Sequence, residues 1–152
     1  MRLGTVPGMD LFAAIREAMI SHARRCLPEE ACGLLAFDGA GALRRAYCLA
    51  NADHSATGFT VDPDDHFRVL GDAETRGWTV GGVFHSHPVS AATPSRTDIA
   101  RSLDPTWLHV IVGLVDTDVP DVRGWRITDG EATEEPLVLV PPIASPEEKG
   151  GA

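Results

Sequence analysis

The run WTVGGVFHSH at residues 78–87 constrains the chain more than any other stretch. It is apolar through Phe84, so it reads as a strand held in a core, and it ends on two histidines one residue apart. Side chains alternate across a strand, which sends His85 and His87 to the same face. Two imidazoles on one face can both reach one cation. The stretch HSHPVSAATPSRTD carries on to Asp98, eleven residues past His87. Pro94-Ser95 is predicted to open a helix, with Asp98 in its first turn. A strand end carrying two histidines would then meet a helix start carrying a carboxylate. Three N/O ligands with a fourth position open describe catalytic zinc, with Zn–N distances of about 2.0–2.1 Å, whereas structural zinc sites are usually closed by four ligands. Each piece also has a plainer explanation. Ser95-Arg96-Thr97-Asp98 is close to an ordinary capping box, and H-x-H alone fits satisfied strand histidines. Capping and ligation are compatible, because Ser95 can orient the turn while Asp98 holds a metal.

The rest of the chain supplies a frame for that strand. Asp10 is predicted to cap a helix reaching about Arg25, with Leu11, Ala14, Ile15, Ala18 and His22 on one face. CGLLAF (32–37) is a short apolar run and hence a buried strand, and LRRAYCLAN (43–51) returns beside it after the Gly39–Gly41 turn. Asp62 caps a second helix with Pro63 at its first position, and Asp64 and Asp65 sit at the positive end of its dipole. Gly77 ends that helix. LHVIVGLV (108–115) is a further strand, and RGWRIT and PLVLV are expected to form a last pair joined through Asp129-Gly130. Strands interleaved with helices give an α/β or mixed α+β domain around one sheet. Residues 1–140 are read as one domain and 141–152, rich in Pro, Gly and charge, as a flexible tail.

Composition narrows the function classes. A chain of 152 residues fits one domain with a proper core. Its net charge of −9 repels phosphate backbones and anionic lipid, so neither nucleic acid nor a membrane is an expected partner. Cys26, Cys32 and Cys48 are odd in number and lack C-x-x-C spacing, which argues against a disulfide framework. The N-terminus shows no apolar signal-peptide core, and no apolar run approaches the ~18 residues of a membrane span. The expectation is a cytoplasmic protein.

The residues at 85–98 also carry a family resemblance. H-x-H, seven residues, Ser, two residues, Asp is the signature of the JAMM (MPN-domain) zinc metalloproteases, and His85, His87, Ser95 and Asp98 match it without a gap. The E-x-C-G that precedes a short strand in that family reads here Glu30-Ala31-Cys32-Gly33. The similarity runs over roughly residues 10 to 140 in the same order of elements. It implies a curved mixed sheet flanked by helices, similar to the cytidine deaminase arrangement. It also implies one Zn2+ per chain on His85, His87 and Asp98, with a water in the fourth position. Glu30 would be the general base, and Ser95 would donate to the oxyanion. Cys32, inside an apolar strand, is read as a small buried residue rather than a nucleophile.

The resemblance is to the compact prokaryotic members. Those act at the C-terminal Gly-Gly of small ubiquitin-like sulfur carrier proteins of the ThiS or MoaD type. Two reactions are open: release of an amino acid such as cysteine, or trimming of the carrier's tail. HARR, PEEACG and GEATEEP resemble the cysteine-releasing subgroup. The expected binding mode is an extended tail beside a strand edge, with Gly81 and Gly82 giving backbone clearance or packing tightly against a helix. A non-catalytic MPN-type scaffold is the alternative, although such relatives usually lose ligands. A DNA-processing relative of the RadC type shares H-x-H-P…S-x-x-D, but the E-x-C-G and the acidic charge count against it.

Overall fold

The computed structural model describes residues 8–142. Eleven elements follow in order: β1 (Met9–Phe12), α1 (Ala13–Cys26), β2 (Cys32–Phe37), β3 (Leu43–Leu49), α2 (Pro63–Thr75), β4 (Thr79–His87), α3 (Arg96–Arg101), β5 (Leu108–Gly113), β6 (Asp121–Thr128), β7 (Glu131–Glu135) and β8 (Leu137–Val140). Six of the strands form one mixed sheet in the order β3-β2-β4-β5-β6-β7. Only β4 and β5 run parallel in it, with α3 in the connection between them. β1 and β8 pair separately, in parallel.

The two long helices explain how the sheet is buried. Consecutive residues of β2 enter different clusters: Leu35 joins Met19, Ile20, Ala23 and Phe84 with α1, while Leu34 joins Val69 and Ala73 of α2. That is the pleat of a strand covered on both faces. It explains why β2 and β4 are almost continuously apolar rather than alternating. β4 lies between β2 and β5 in mid-sheet, and Phe84 and His85 are only 0% and 2% exposed. Phe84 faces α1, so His85 and His87, one step out of phase with it, belong to the α2 face.

Three expectations need correction. Asp10 does not start a helix. Met9–Phe12 is a strand pairing with Leu137–Val140, and the helix begins after Phe12 with no side-chain cap. The pull of a distant strand overrides the local capping signal. RGWRIT does not pair with PLVLV. The Asp129-Gly130 turn, with both φ angles positive, folds Glu131–Glu135 back onto β6. That pair is the two-residue hairpin turn such dipeptides favour, and PLVLV is released to meet β1. Finally, of the two readings of Gly81 and Gly82, packing holds, but against neighbouring strands rather than a helix. A Cβ on Gly82 would stand 2.6 Å from the Leu108 carbonyl oxygen, and one on Gly81 3.2 Å from the Phe37 ring. Both serve packing. β4 is hydrogen-bonded on both sides, so an extended tail cannot add to the strand that carries the histidines.

Asp62 caps α2 as expected, accepting from the Asp64 and Asp65 amides at 2.8 and 3.3 Å. Gly77, at φ +73°, follows its C-terminus. Among the described residues no helix is long and apolar enough to cross a membrane. The tail from 143 and the head to residue 7 lie outside the described residues.

Candidate metal centre

β4 delivers its histidines at its C-terminal end, where Pro88 stops the ladder. The chain then turns so that the Ala91 carbonyl meets His87 Nδ1 at 2.7 Å. A carbonyl only accepts, so His87 Nδ1 carries the hydrogen and its Nε2 presents a lone pair. α3 starts at Ser95 with a full capping box. Ser95 Oγ accepts from the Asp98 amide at 3.0 Å, and Asp98 Oδ2 accepts from the Ser95 amide at 2.9 Å. The plain capping explanation of S-x-x-D therefore holds in full. The same Oδ2 also faces the histidines.

Three atoms meet there as an equilateral triangle. His85 Nε2 to His87 Nε2, His85 Nε2 to Asp98 Oδ2, and His87 Nε2 to Asp98 Oδ2 are each 3.1 Å. Ligand atoms bound at about 2.0–2.1 Å in a tetrahedron stand about 3.3 Å from one another. The triangle fits a zinc-sized cation with little adjustment. Its chemistry points the same way. His87 Nε2 and an ionised Asp98 oxygen are both acceptors, and acceptors this close require a proton or a cation between them.

Electrostatics sharpen this. Burial works against ionising Asp98, yet hydrogen bonds to His85 and His87 outweigh it and hold the carboxyl well below the usual range. Burial pushes His85 down, towards the neutral form a metal ligand must have. It also opposes charge on His87, but the contacts with Asp98 and Ala91 more than compensate and raise it.

Glu30 reaches the same place from the residues just before β2. Cys32 is the register partner of His85, and the residue between the histidines completes the join. Ser86 accepts the Ala31 amide on its Oγ at 2.8 Å and donates its own amide to the Ala31 carbonyl at 3.0 Å. Glu30 is 5% exposed, and its Oε1 is buried with no hydrogen-bond partner. Glu30, His85 and His87 bring ligand-type atoms within 4.8 Å of one another. This wider set overlaps the tight one, and the spacing separates their roles: Asp98 closes the 3.1 Å triangle, whereas Glu30 stands further back. Burial pushes the Glu30 carboxyl up to about 7, with His87 opposing and Asp98 adding to the rise. Glu29, by contrast, is half-buried beside the exposed His54.

Cys32 is fully buried, and burial drives its thiol up to about 12, which makes it no nucleophile. Gly33 of the E-x-C-G run has a packing reason of its own: a Cβ there would collide with the Tyr47 carbonyl and the Phe84 ring.

A cavity of about 510 Å³ opens beside the triangle. His85, Asp98, Phe59, Val61, Arg101 and Trp107 contribute to its wall. His66 and His109 line it too, and His109 Nε2 is satisfied by Ser102 Oγ at 3.2 Å. His22 is satisfied by the Leu49 carbonyl at 2.9 Å.

Several contributors escape sequence reasoning. The Phe59 ring stacks on His85, centroids 4.7 Å apart and planes at 24°. Asn51, 5% exposed, binds the Glu30 and Gly58 carbonyls at 3.1 and 2.9 Å and accepts the Thr60 amide at 3.2 Å. Ser86 was hidden as the middle residue of H-x-H. None of the three carried a signal, because nothing in the sequence marks which polar residues will be buried.

The family described as prokaryotic homologs of the JAB domain matches residues 12–128. The CysO-cysteine peptidase of Mycobacterium tuberculosis is 36% identical over 141 residues, covering 92% of this chain and 97% of the relative. A desampylase of Haloferax volcanii is 33% identical over 109 residues, covering 68% and 78%. Among solved structures, a protein of Desulfitobacterium hafniense superposes with a TM-score of 0.80 at 34% identity, covering 89% of this chain and 94% of its own. A JAB1/MPN domain protein of Archaeoglobus fulgidus shares the fold at a TM-score of 0.54 and 20% identity, covering 86% and 98%.

Proposed function

The chain belongs to the prokaryotic homologs of the JAB domain, and from that premise we propose that it is a zinc peptidase acting at the C-terminal Gly-Gly of a small ubiquitin-like sulfur carrier protein. The bond cleaved joins the carrier to a further residue, and the product released is an amino acid such as cysteine. One observation carries the reading: three ligand-type atoms 3.1 Å apart beside a buried carboxylate oxygen with no partner. Two relatives named for peptidase and desampylase activity support the hydrolase class.

His85, His87 and Asp98 would hold the zinc. When bound, zinc supplies a Lewis acid that polarises the scissile carbonyl and lets water act as a nucleophile at neutral pH. The remaining work falls to the chain. Glu30 takes a proton from the attacking water and returns it to the leaving amine. A carboxyl near 7 suits both halves of that task, because it exchanges protons readily at working pH. Ser95 Oγ accepts the Asp98 amide through a lone pair, which leaves its hydroxyl hydrogen free to point at the developing oxyanion. The cavity beside His85 receives the extended tail, in place of the sheet edge that β4 lacks. Backbone contacts along a Gly-Gly tail need no side-chain space, so a close approach to the triangle is open to it.

The test is hydrolysis of a carrier–cysteine adduct by the purified chain, wild type and Glu30→Ala, with and without chelation. Cleavage that stops on chelation, returns with zinc and is lost in Glu30→Ala is the expected result. Unchanged turnover in Glu30→Ala would remove the mechanism, and activity in protein proven free of metal would remove the zinc.

A further inference from the structure

α3 carries Asp98 and is held by polar contacts rather than by burial: Asp98 meets the histidines of β4, and its C-cap Ser102 Oγ lies 3.2 Å from His109 Nε2 of β5. The helix is six residues long, and none of its residues is buried. Its capping box fixes the first turn on itself, not on the sheet. The other end shows a tether. Arg101 Nη1 donates to the Phe59 carbonyl at 3.1 Å, and Nη2 reaches Thr60 Oγ1 at 3.4 Å. The segment it grips is itself well fixed. Asn51 binds the Gly58 carbonyl and the Thr60 amide, and the Ser55 carbonyl accepts the Glu30 amide at 2.8 Å. Phe59, in the middle of that segment, lays its ring on His85.

We propose that Arg101 is a positioning residue of the metal centre, locking the helix that carries Asp98 to the segment whose Phe59 packs on His85. The inference rests on the reading of His85, His87 and Asp98 as a metal site. The planar fork of the guanidinium meets two acceptors on one segment at once, which fixes both distance and direction. Asp98 needs that fixing, because ligand atoms 3.1 Å apart tolerate little drift before one leaves the coordination sphere. Residues that orient ligands without touching the metal typically contribute 10–100-fold in affinity. Arg101 fits that class, and so does Phe59, which limits the swing of the His85 ring.

The experiment compares zinc affinity in the full chain by competition with a chromophoric chelator, for wild type, Arg101→Ala, Arg101→Lys and Phe59→Leu. Arg123→Ala, which breaks an exposed ion-pair cluster on β6, is the control. Melting of each metal-free protein is read alongside. The expected result is zinc binding weakened about 10-fold or more in Arg101→Ala. Arg101→Lys should recover part of it, since one ammonium can meet only one acceptor well. Phe59→Leu should weaken binding to a lesser degree, and Arg123→Ala should match wild type. Metal-free melting of Arg101→Ala should stay close to wild type, because the bonds lost are on the surface. Equal zinc affinity in wild type and Arg101→Ala would overturn the inference and leave the metal site standing. Equal loss of affinity and of metal-free stability in the alanine and lysine variants would overturn it as well, making Arg101 a general structural residue. A wild type that binds no zinc would overturn the reading beneath it.

Discussion

Replacing Glu30 with glutamine should make the metal-free protein more stable and the enzyme inactive. Gln keeps the shape of the side chain and removes its charge. In the fold, burial raises the Glu30 carboxyl from its ordinary 4.5 to about 7. At ~1.36 kcal/mol per pH unit, that difference means an ionised Glu30 costs the fold about 3 kcal/mol. The sign follows from proton binding. Below pH 4.5 folded and unfolded chains both hold the proton, and Glu30 contributes nothing to the pH dependence. Between 4.5 and about 7 the unfolded state ionises first, so stability falls as pH rises. Above that window the full cost stands. Gln must still desolvate its own amide, so the net gain at pH 8 is about 1–3 kcal/mol. For a chain of this length, that is a rise in melting temperature of about 2–10 °C. The assay is thermal melting of both proteins, stripped of metal, from pH 4 to 8. The variant should be no more stable than wild type at pH 4 and should gain on it progressively above that pH. Melting temperatures that remain equal at pH 8 would refute the reasoning, since they would mean the carboxylate is not held at a cost. The same substitution should lower kcat by about 10²–10⁴-fold, the usual worth of a general base.

Other substitutions probe other parts of the centre. Asp98→Ala opens the triangle and unmakes the capping box together. Elemental analysis should find near one zinc per wild-type chain and little in the variant, while zinc retained by the variant would return Asp98 to a cap alone. Ser95→Ala should cost about 0.5–2 kcal/mol through the lost cap and about 10²–10³-fold in kcat through the lost oxyanion donor. A fall in kcat no larger than the drop in stability explains would leave Ser95 as a cap only. Gly82→Ala places a methyl against the Leu108 carbonyl in mid-sheet and should destabilise by about 1–3 kcal/mol in denaturant unfolding. No change there would mean that the β4–β5 contact relaxes more easily than its spacing implies.

Much of the candidate centre is legible in the sequence, and for a local reason. H-x-H puts two rings on one face because strands alternate, and S-x-x-D puts a carboxylate in a first helical turn because capping boxes have fixed spacing. α2 was legible on the same grounds, since Asp62, Pro63 and Gly77 act within their own turns. Asp10 misled because its capping chemistry lost to pairing with Val138, more than a hundred residues away. PLVLV misled in the complementary way: its neighbour GEATEEP looks too polar to be a strand, yet the Asp129-Gly130 turn imposes one.

Sequence by itself determined the residue types of the centre, the face of β4 they share and the family that uses them. Tertiary structure alone decided how they meet. The Cys32–His85 register, sealed by Ser86, brings Glu30 to within reach of histidines more than fifty residues on. The mid-sheet position of β4 closes the edge where a peptide might have added and leaves the cavity beside His85 instead. Phe59, Asn51 and Arg101 enter the centre through contacts between segments far apart in the chain. Spacing rules describe a few bonds along a backbone, whereas burial and register are set by the packing of the whole sheet, and the distances among His85, His87 and Asp98 belong to the second kind.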